Sequence, residues 1–508
     1  MNLELALLHE YASPQALVVA VVLVLVATVH LARSTSRAER LRRKLPCPRF
    51  TLPVIGHLHL IGSLPHVGLR DLARKHGPDV MLLRLGAVPT LIVSSPSAAK
   101  AVLRTHDHVF ASRPDTVVGD ILFVGSTNVG HSPYGEYWRQ VRKIITTHVL
   151  TAKKIRANLP YREQEARLAL ASVREAAAAG TAVDLTHLFS HFAHDMVSQA
   201  VAGRIPREDR WGKLFHDLFV GNGQLLGGFN LDDCFPSLAR LGIGSANIAK
   251  QRKRWDDLLD EVIDRHTSTP MEKGDEPDFI DVMLSVQDEY KLTRNNIKSI
   301  LMDMFQAGTD TTFIWLDYAM AELARAPQVM AKLQAEVRRC GTTNQLLTQE
   351  DLSGMSYLKA VMKETMRLHP PGPLLLPHAS IADCEVEGYV VPAGTRVIIN
   401  VWAIGRHASS WERAEEFVPE RFLEGSVDAN SDFYGNDFRL LPFGSGRRMC
   451  PGINFATLTF EIILANLIYH FDWELPEGSQ GVDMTEAFGM DVHRKENLLL
   501  VPRVAKMV

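Results

Sequence analysis

The chain has 508 residues, 46% hydrophobic and 22% charged, a composition that excludes a disordered protein and a small binding module. Its 55 Lys and Arg against 58 Asp and Glu give a net charge of −3, without the basic excess of a nucleic-acid binder. The five cysteines, Cys47, Cys234, Cys340, Cys384 and Cys450, lie far apart with no C-x-x-C, which indicates neither a disulfide framework nor a zinc module.

Residues 16–32 carry no formal charge and as a helix reach about 25 Å, nearly enough to cross a thin bilayer. Glu4 and Glu10 precede them, while Arg33, Arg37, Arg40, Arg42, Arg43, Lys44 and Arg49 follow against Glu39 alone, so the chain beyond is expected on the cytoplasmic side. A cleaved signal peptide needs a basic start, and this segment starts acidic and runs straight into arginines. The expected plan is a membrane anchor over residues 1–32, a basic and proline-rich hinge over 33–60, and one globular body over 61–508. That body is expected in the cytosol, held to the endoplasmic reticulum membrane by a single pass.

Pro46, Pro48 and Pro53 predict a stiff, extended connector. Residues 79–95 hold two β-branched apolar stretches separated by Gly86, Ala87, Val88 and Pro89, the pattern of a hairpin with proline at its turn. Helical periodicity marks residues 252–265, 293–326, 330–339 and 357–368, with polar loops over 267–278 and 425–437. The fold class is mainly α with a small β portion.

Chemistry concentrates in residues 443–452, FGSGRRMCPG. Glycines 444, 446 and 452 permit close backbone approach to a flat ligand, and Arg448 stands two residues from Cys450, surroundings that favour a thiolate. The other cysteines lack this frame and read as inert. No Gly-Lys-[Ser/Thr] follows, so a phosphate loop is excluded, and G-x-G is not completed as a dinucleotide fingerprint. Residues 307–312, AGTDTT, are poor choices for a helix interior and predict a local opening of its hydrogen bonds. Glu364 and Arg367 share a helix face, as do Trp138 and Arg142; alone, the first pair reads as a surface ion pair and the second as a packed aromatic on a solvated helix.

The pattern F-x-x-G-x-R-x-C-x-G, met by Phe443, Gly446, Arg448, Cys450 and Gly452, resembles the haem-binding loop of the cytochrome P-450 family. That resemblance implies haem b as cofactor with Cys450 as its axial iron ligand, whose thiolate favours O–O cleavage. It implies that Thr311 hydrogen-bonds the oxygen under activation and that Asp310 feeds protons through water. Glu364, Arg367 and Arg421 would form a structural network. Trp138, Arg142 and Arg448 would contact the haem propionates, with His378 standing where relatives often carry a further arginine. Leu122, Phe123, Phe219, Phe305, Ala307, Leu375 and Phe488 would line the substrate pocket, though each also reads as plain core. The chain has no flavin or nicotinamide motif, so the resemblance implies electrons from NADPH through NADPH-cytochrome P-450 reductase; Arg139 and Lys143 flank Arg142 and Arg447 flanks Arg448, so these outward charges read as its docking face or as a solvated basic face.

GRRMCPG is similar to the plant A-type branch of the family. Residues 56–62, 106–114, 225–230 and 369–378 resemble the grass monooxygenases that hydroxylate indole and indolinone intermediates of benzoxazinoid defence compounds. The implied function is hydroxylation of a small apolar or aromatic plant metabolite, such as an indole, indolinone or benzoxazinone. A terpenoid or other phenylpropanoid is the competing substrate, and a membrane-tethered haem binder without turnover the competing class. An enzyme of the same fold that rearranges a peroxide has no need of Asp310 and Thr311.

Overall fold

The computed structural model describes residues 36–203, 210–227, 231–239, 245–268, 276–339 and 346–506. The expected anchor segment, Cys340 and most of the expected loop at 267–278 lie outside the described residues.

The central element is the helix Arg294–Arg325. Thr293 starts it through a reciprocal cap: Asn296 N–H donates to Thr293 Oγ1 at 3.1 Å, and Thr293 N–H donates to Asn296 Oδ1 at 2.9 Å. Pro327, which opens the next helix, Pro327–Arg339, disfavours helical geometry at Ala326 and ends it. The expected opening at residues 307–312 does not occur. The backbone stays α-helical because Thr311 and Thr312 direct their hydroxyls to the carbonyls of Ala307 and Gly308, at 2.6 and 2.8 Å, without breaking the ladder.

The helix Leu185–Ala202 lies along this central helix. At Gly308 the approach is so close that an added Cβ would sit 2.8 Å from Val197 Cγ2. On another side the central helix meets the helix Ile453–His470, where Trp315 stacks on Phe460 at 4.1 Å. Ile453–His470 is apolar and long enough to cross a membrane, but 83% of it is buried inside the body, as a core helix is. Helices Ser245–Ser268 and Ser356–Leu368 complete the surround and contain the expected 252–265 and 357–368.

The β portion is led by the hairpin Val80–Leu85 and Val88–Val93, in register from Val80 opposite Val93 to Leu85 opposite Val88. Its turn is Gly86-Ala87, with Gly86 at φ +60°. Pro89 therefore lies in the strand rather than at the turn. It is tolerated because the parallel pairing of this strand with Arg396–Ile399 begins only at Thr90. Residues 36–60, expected as an extended connector, instead belong to the body. A helix Arg37–Arg42 brings Glu39 to Arg84 at 2.7 Å, Leu82 N–H donates to the Pro46 carbonyl at 2.8 Å, and Arg84 N–H donates to His57 Nδ1 at 2.8 Å.

Candidate active site

A cavity of about 360 Å³ opens between the central helix, at Ala307, Gly308, Thr311 and Thr312, and the loop that carries Cys450. Gly446 makes that loop possible: at φ +69°, an added Cβ would meet the Leu103 carbonyl at 2.2 Å and Asp107 Oδ1 at 2.9 Å. Cys450 N–H donates to the Phe443 carbonyl at 2.9 Å, and Gly452 N–H points at Cys450 Sγ from 3.4 Å. Burial pushes the Cys450 thiol up, while the Gly452 N–H and the Arg142 guanidinium pull it down. Such a sulfur ionises when a metal binds it.

Three guanidiniums reach the same cavity. Arg142 donates to the Met449 carbonyl at 2.7 Å. Arg448 donates to the carbonyls of Ala111, Val129 and Ser132. Arg113 donates to those of Gly130, Leu376 and Pro377. Burial lowers all three, Arg113 to about 9, and Arg448 to about 8 with further repulsion from Arg113 and Arg142. None forms an ion pair among the described residues. The nearby Asp303 does not neutralise them: its carboxylate accepts from Asn128 Nδ2 at 2.6 Å and Gly130 N–H at 2.9 Å, and burial pushes it up to about 6. Unpaired buried cations around a cavity call for an anionic ligand. Arg113 lies in the 106–114 stretch but belongs to no motif there; a lone arginine beside a proline carries no distinguishing spacing.

Two expected anion contacts are differently employed. Trp138 has one donor, and it goes to the Val129 carbonyl at 3.1 Å; its ring instead supports the Arg448 guanidinium at 4.2 Å. His378 Nδ1 donates to the Phe110 carbonyl at 2.8 Å, and burial, with Arg113 next, holds the ring neutral. Its Nε2 then carries a lone pair and cannot donate to an anion. His131, also on the cavity wall, is neutral for the same reasons, pushed down to about 3 by burial and then by Arg113 and Arg448.

Thr311 lines the cavity, and Asp310, next in the helix, lies behind the wall with its carboxyl pushed up to about 7 by burial. Asp491, which belongs to no sequence motif, does line the cavity; burial and then Asp310 push it up to about 8. Of the expected pocket residues, Phe123, Ala307, Leu375 and Phe488 line the wall. Leu122 and Phe305 do not. Leu122 is wholly buried in the core, and Phe305 packs on Phe215 at 4.5 Å because two residues along a helix from Ala307 turn it to the opposite side. Phe219 belongs to the helix Arg210–Leu226, and its side chain lies outside the described residues.

Glu364, Arg367 and Arg421 meet in one buried cluster. Arg367 makes a fork to Glu364 at 2.7 and 2.8 Å, and Arg421 Nε reaches both Glu364 oxygens at 3.2 Å. On the outer surface Arg139, Lys143 and Arg447 are all exposed, and Arg447, expected to face a partner, is also tied to Asp107 at 2.6 Å.

The cavity fits a flat group bearing iron and carboxylates: a sulfur in one wall, small residues of a helix opposite, and three guanidiniums without counter-ions among the described residues. The family model for cytochrome P-450 matches residues 45–501. The chain is 52% identical over 484 residues to indole-2-monooxygenase of Zea mays, covering 93% of this chain and 90% of that protein. It is 49% identical over 515 residues to indolin-2-one monooxygenase of Zea mays, covering 96% of each. A solved structure of a zebrafish cytochrome P-450 with abiraterone shares the fold at a TM-score of 0.73 and 24% identity, covering 87% of this chain and 100% of that one. The chain thus belongs to the cytochrome P-450 family and is a monooxygenase with a haem cofactor and a redox partner.

Proposed function

We propose that the protein hydroxylates a small, flat, nitrogen-containing aromatic such as indole or indolin-2-one, using O2 and electrons from NADPH through NADPH-cytochrome P-450 reductase. The observation that carries this reading is the 52% identity to the maize indole enzyme along nearly the whole chain. Phe123 and Phe488 in the cavity wall support it, since offset aromatic contacts add about 0.5–1.5 kcal/mol beyond burial.

In this reading Cys450 would bind the haem iron through its sulfur. Arg113, Arg142 and Arg448 would hold the propionates, and Phe443, Gly446 and Gly452 shape the loop around the sulfur. Haem bound there supplies cleavage of O2 and insertion of one oxygen atom into a C–H bond. Thr311 keeps a hydroxyl at the cavity surface, and Asp310, titrating at about 7, holds a proton behind it near neutral pH, where a proton donor is most effective. Residues 1–32 anchor the chain by a single pass in the endoplasmic reticulum membrane, with the body in the cytosol. The exposed Arg139 and Lys143 meet the reductase.

Reconstitution with reductase, NADPH and O2 should give turnover of indole or indolin-2-one. Turnover of a terpenoid or another phenylpropanoid, with none of the indole series, refutes the substrate class and leaves the monooxygenase standing. NADPH use that no substrate raises above background supports a haem binder instead.

A further inference from the structure

Among the described residues, besides the neutral His131 and His378, the acidic and basic side chains on the cavity wall are Arg113, Arg142, Arg448, Asp303 and Asp491. The arginines are anchored on backbone carbonyls, and Asp303 holds Asn128 and the Gly130 N–H. Asp491 is the exception. Its carboxyl has no hydrogen bond and no ion pair with any described residue, and the one charged group that acts on it is another acid, Asp310.

The backbone around Asp491 is pinned. Gly489 N–H donates to the Asp491 carbonyl at 3.1 Å, Met490 N–H to the Gly223 carbonyl at 3.3 Å, and Val492 N–H to the Pro371 carbonyl at 2.8 Å. Asp491 Oδ1 lies 3.9 Å from where a Cβ on Gly372 would stand, beside a further stretch of cavity wall. Its φ is not left-handed and its side chain caps no element, so the turn between strands Glu486–Phe488 and Val492–Arg494 makes no demand for aspartate. A polar group left open in an apolar cavity, and unexplained by the fold, points to a ligand that completes it. With Asp310 nearby and no cation among the described residues acting on either, the two acids do not both ionise readily. A carboxyl that keeps its proton presents a donor and an acceptor side by side.

We propose that Asp491 is the specificity-determining residue of this cavity, pairing side by side with the N–H and C=O of a cyclic secondary amide in the substrate. The inference rests on the indole-series reading and narrows it to rings that carry both groups, since indole offers an N–H alone. Phe488, on the same hairpin, contacts the ring.

The test uses the full-length holoenzyme and the haem spin-state shift as a binding signal, titrated with indolin-2-one and with its N-methyl derivative. The wild type should bind indolin-2-one at least about tenfold more tightly, since methylation removes the donor and leaves a buried partner unmet. Asp491→Leu should shrink that ratio to within about twofold, whereas Asp491→Asn, which also offers an N–H beside a C=O, should preserve it. A large wild-type ratio that Asp491→Leu leaves unchanged, in protein with its full haem content, overturns the inference alone. A wild type shifted by a terpenoid and by none of the indole series overturns the substrate reading and this inference with it.

Discussion

Arg367 is wholly buried, and all of its N–H donors are engaged: Nε and Nη2 on Glu364, Nη1 on the carbonyls of Gly405 at 2.7 Å and Ala414 at 2.6 Å, and Nη2 again on the Glu416 carbonyl at 2.9 Å. Arg367→Met leaves Glu364 with Arg421 and with the Val418 N–H at 2.7 Å, so the carboxylate keeps a counter-ion. The carbonyls of Gly405 and Ala414 lose a buried donor, at about 1–3 kcal/mol each, so Arg367→Met should cost about 2–6 kcal/mol. Arg503→Ala, in an exposed pair with Glu474 at 3.1 Å, should cost less than about 1 kcal/mol. Arg367→Lys should recover under half of the loss, because an ammonium cannot serve acceptors spread around a planar fork. Urea unfolding followed by tryptophan fluorescence suits the test, since the Trp411 ring lies 5.5 Å from the Arg367 guanidinium. A loss for Arg367→Met no larger than that for Arg503→Ala, or a lysine variant equal to wild type, refutes the reasoning.

Cys450→Ser should abolish the absorbance band of the reduced, carbon monoxide-bound thiolate haem; a band that survives this change and disappears when another cysteine is replaced would move the ligand elsewhere. Thr311→Ala should retain haem and substrate binding yet divert reducing equivalents to peroxide, read as product formed per NADPH; unchanged coupling argues against a proton-handling role. Asp310 titrates at about 7 in the fold against an ordinary 3.8, so its ionisation costs stability that is intact below 3.8 and is lost as the pH rises to about 7. Asp310→Asn should therefore resist denaturation better than wild type at about pH 8 and equally at about pH 4, and parallel pH profiles would contradict the burial of that carboxyl. Reversing both Arg139 and Lys143 should slow reductase-driven turnover and leave peroxide-driven turnover alone; equal loss in both assays means misfolding rather than a docking face.

Local patterns reached the elements whose signals are short in range. The central helix was legible end to end, because Thr293 and Pro327 act on their own neighbours. The sulfur loop was legible because Gly446 must take a backbone angle that side chains rarely adopt. The proline-rich segment was misjudged for the complementary reason: prolines report a local restriction, whereas the groups that satisfy residues 36–60 sit on a hairpin distant in sequence, at Leu82 and Arg84.

Cavity membership could be decided only in three dimensions. Ala307 and Phe305 lie two positions apart on one helix, yet the first meets the cavity and the second the core, since which face of a buried helix is lined depends on what packs against it. Trp138 and His378 carried the right chemistry at the right places in the chain, but their donors were already committed to the carbonyls of Val129 and Phe110. Arg113 and Asp491 carried no motif at all. The resemblance carried by one loop motif indicated the family and the sulfur, and local periodicity with its caps indicated the long helix. Tertiary structure alone decided which charges were left unpaired in the cavity, because a counter-ion is a matter of a few ångströms between segments remote in sequence.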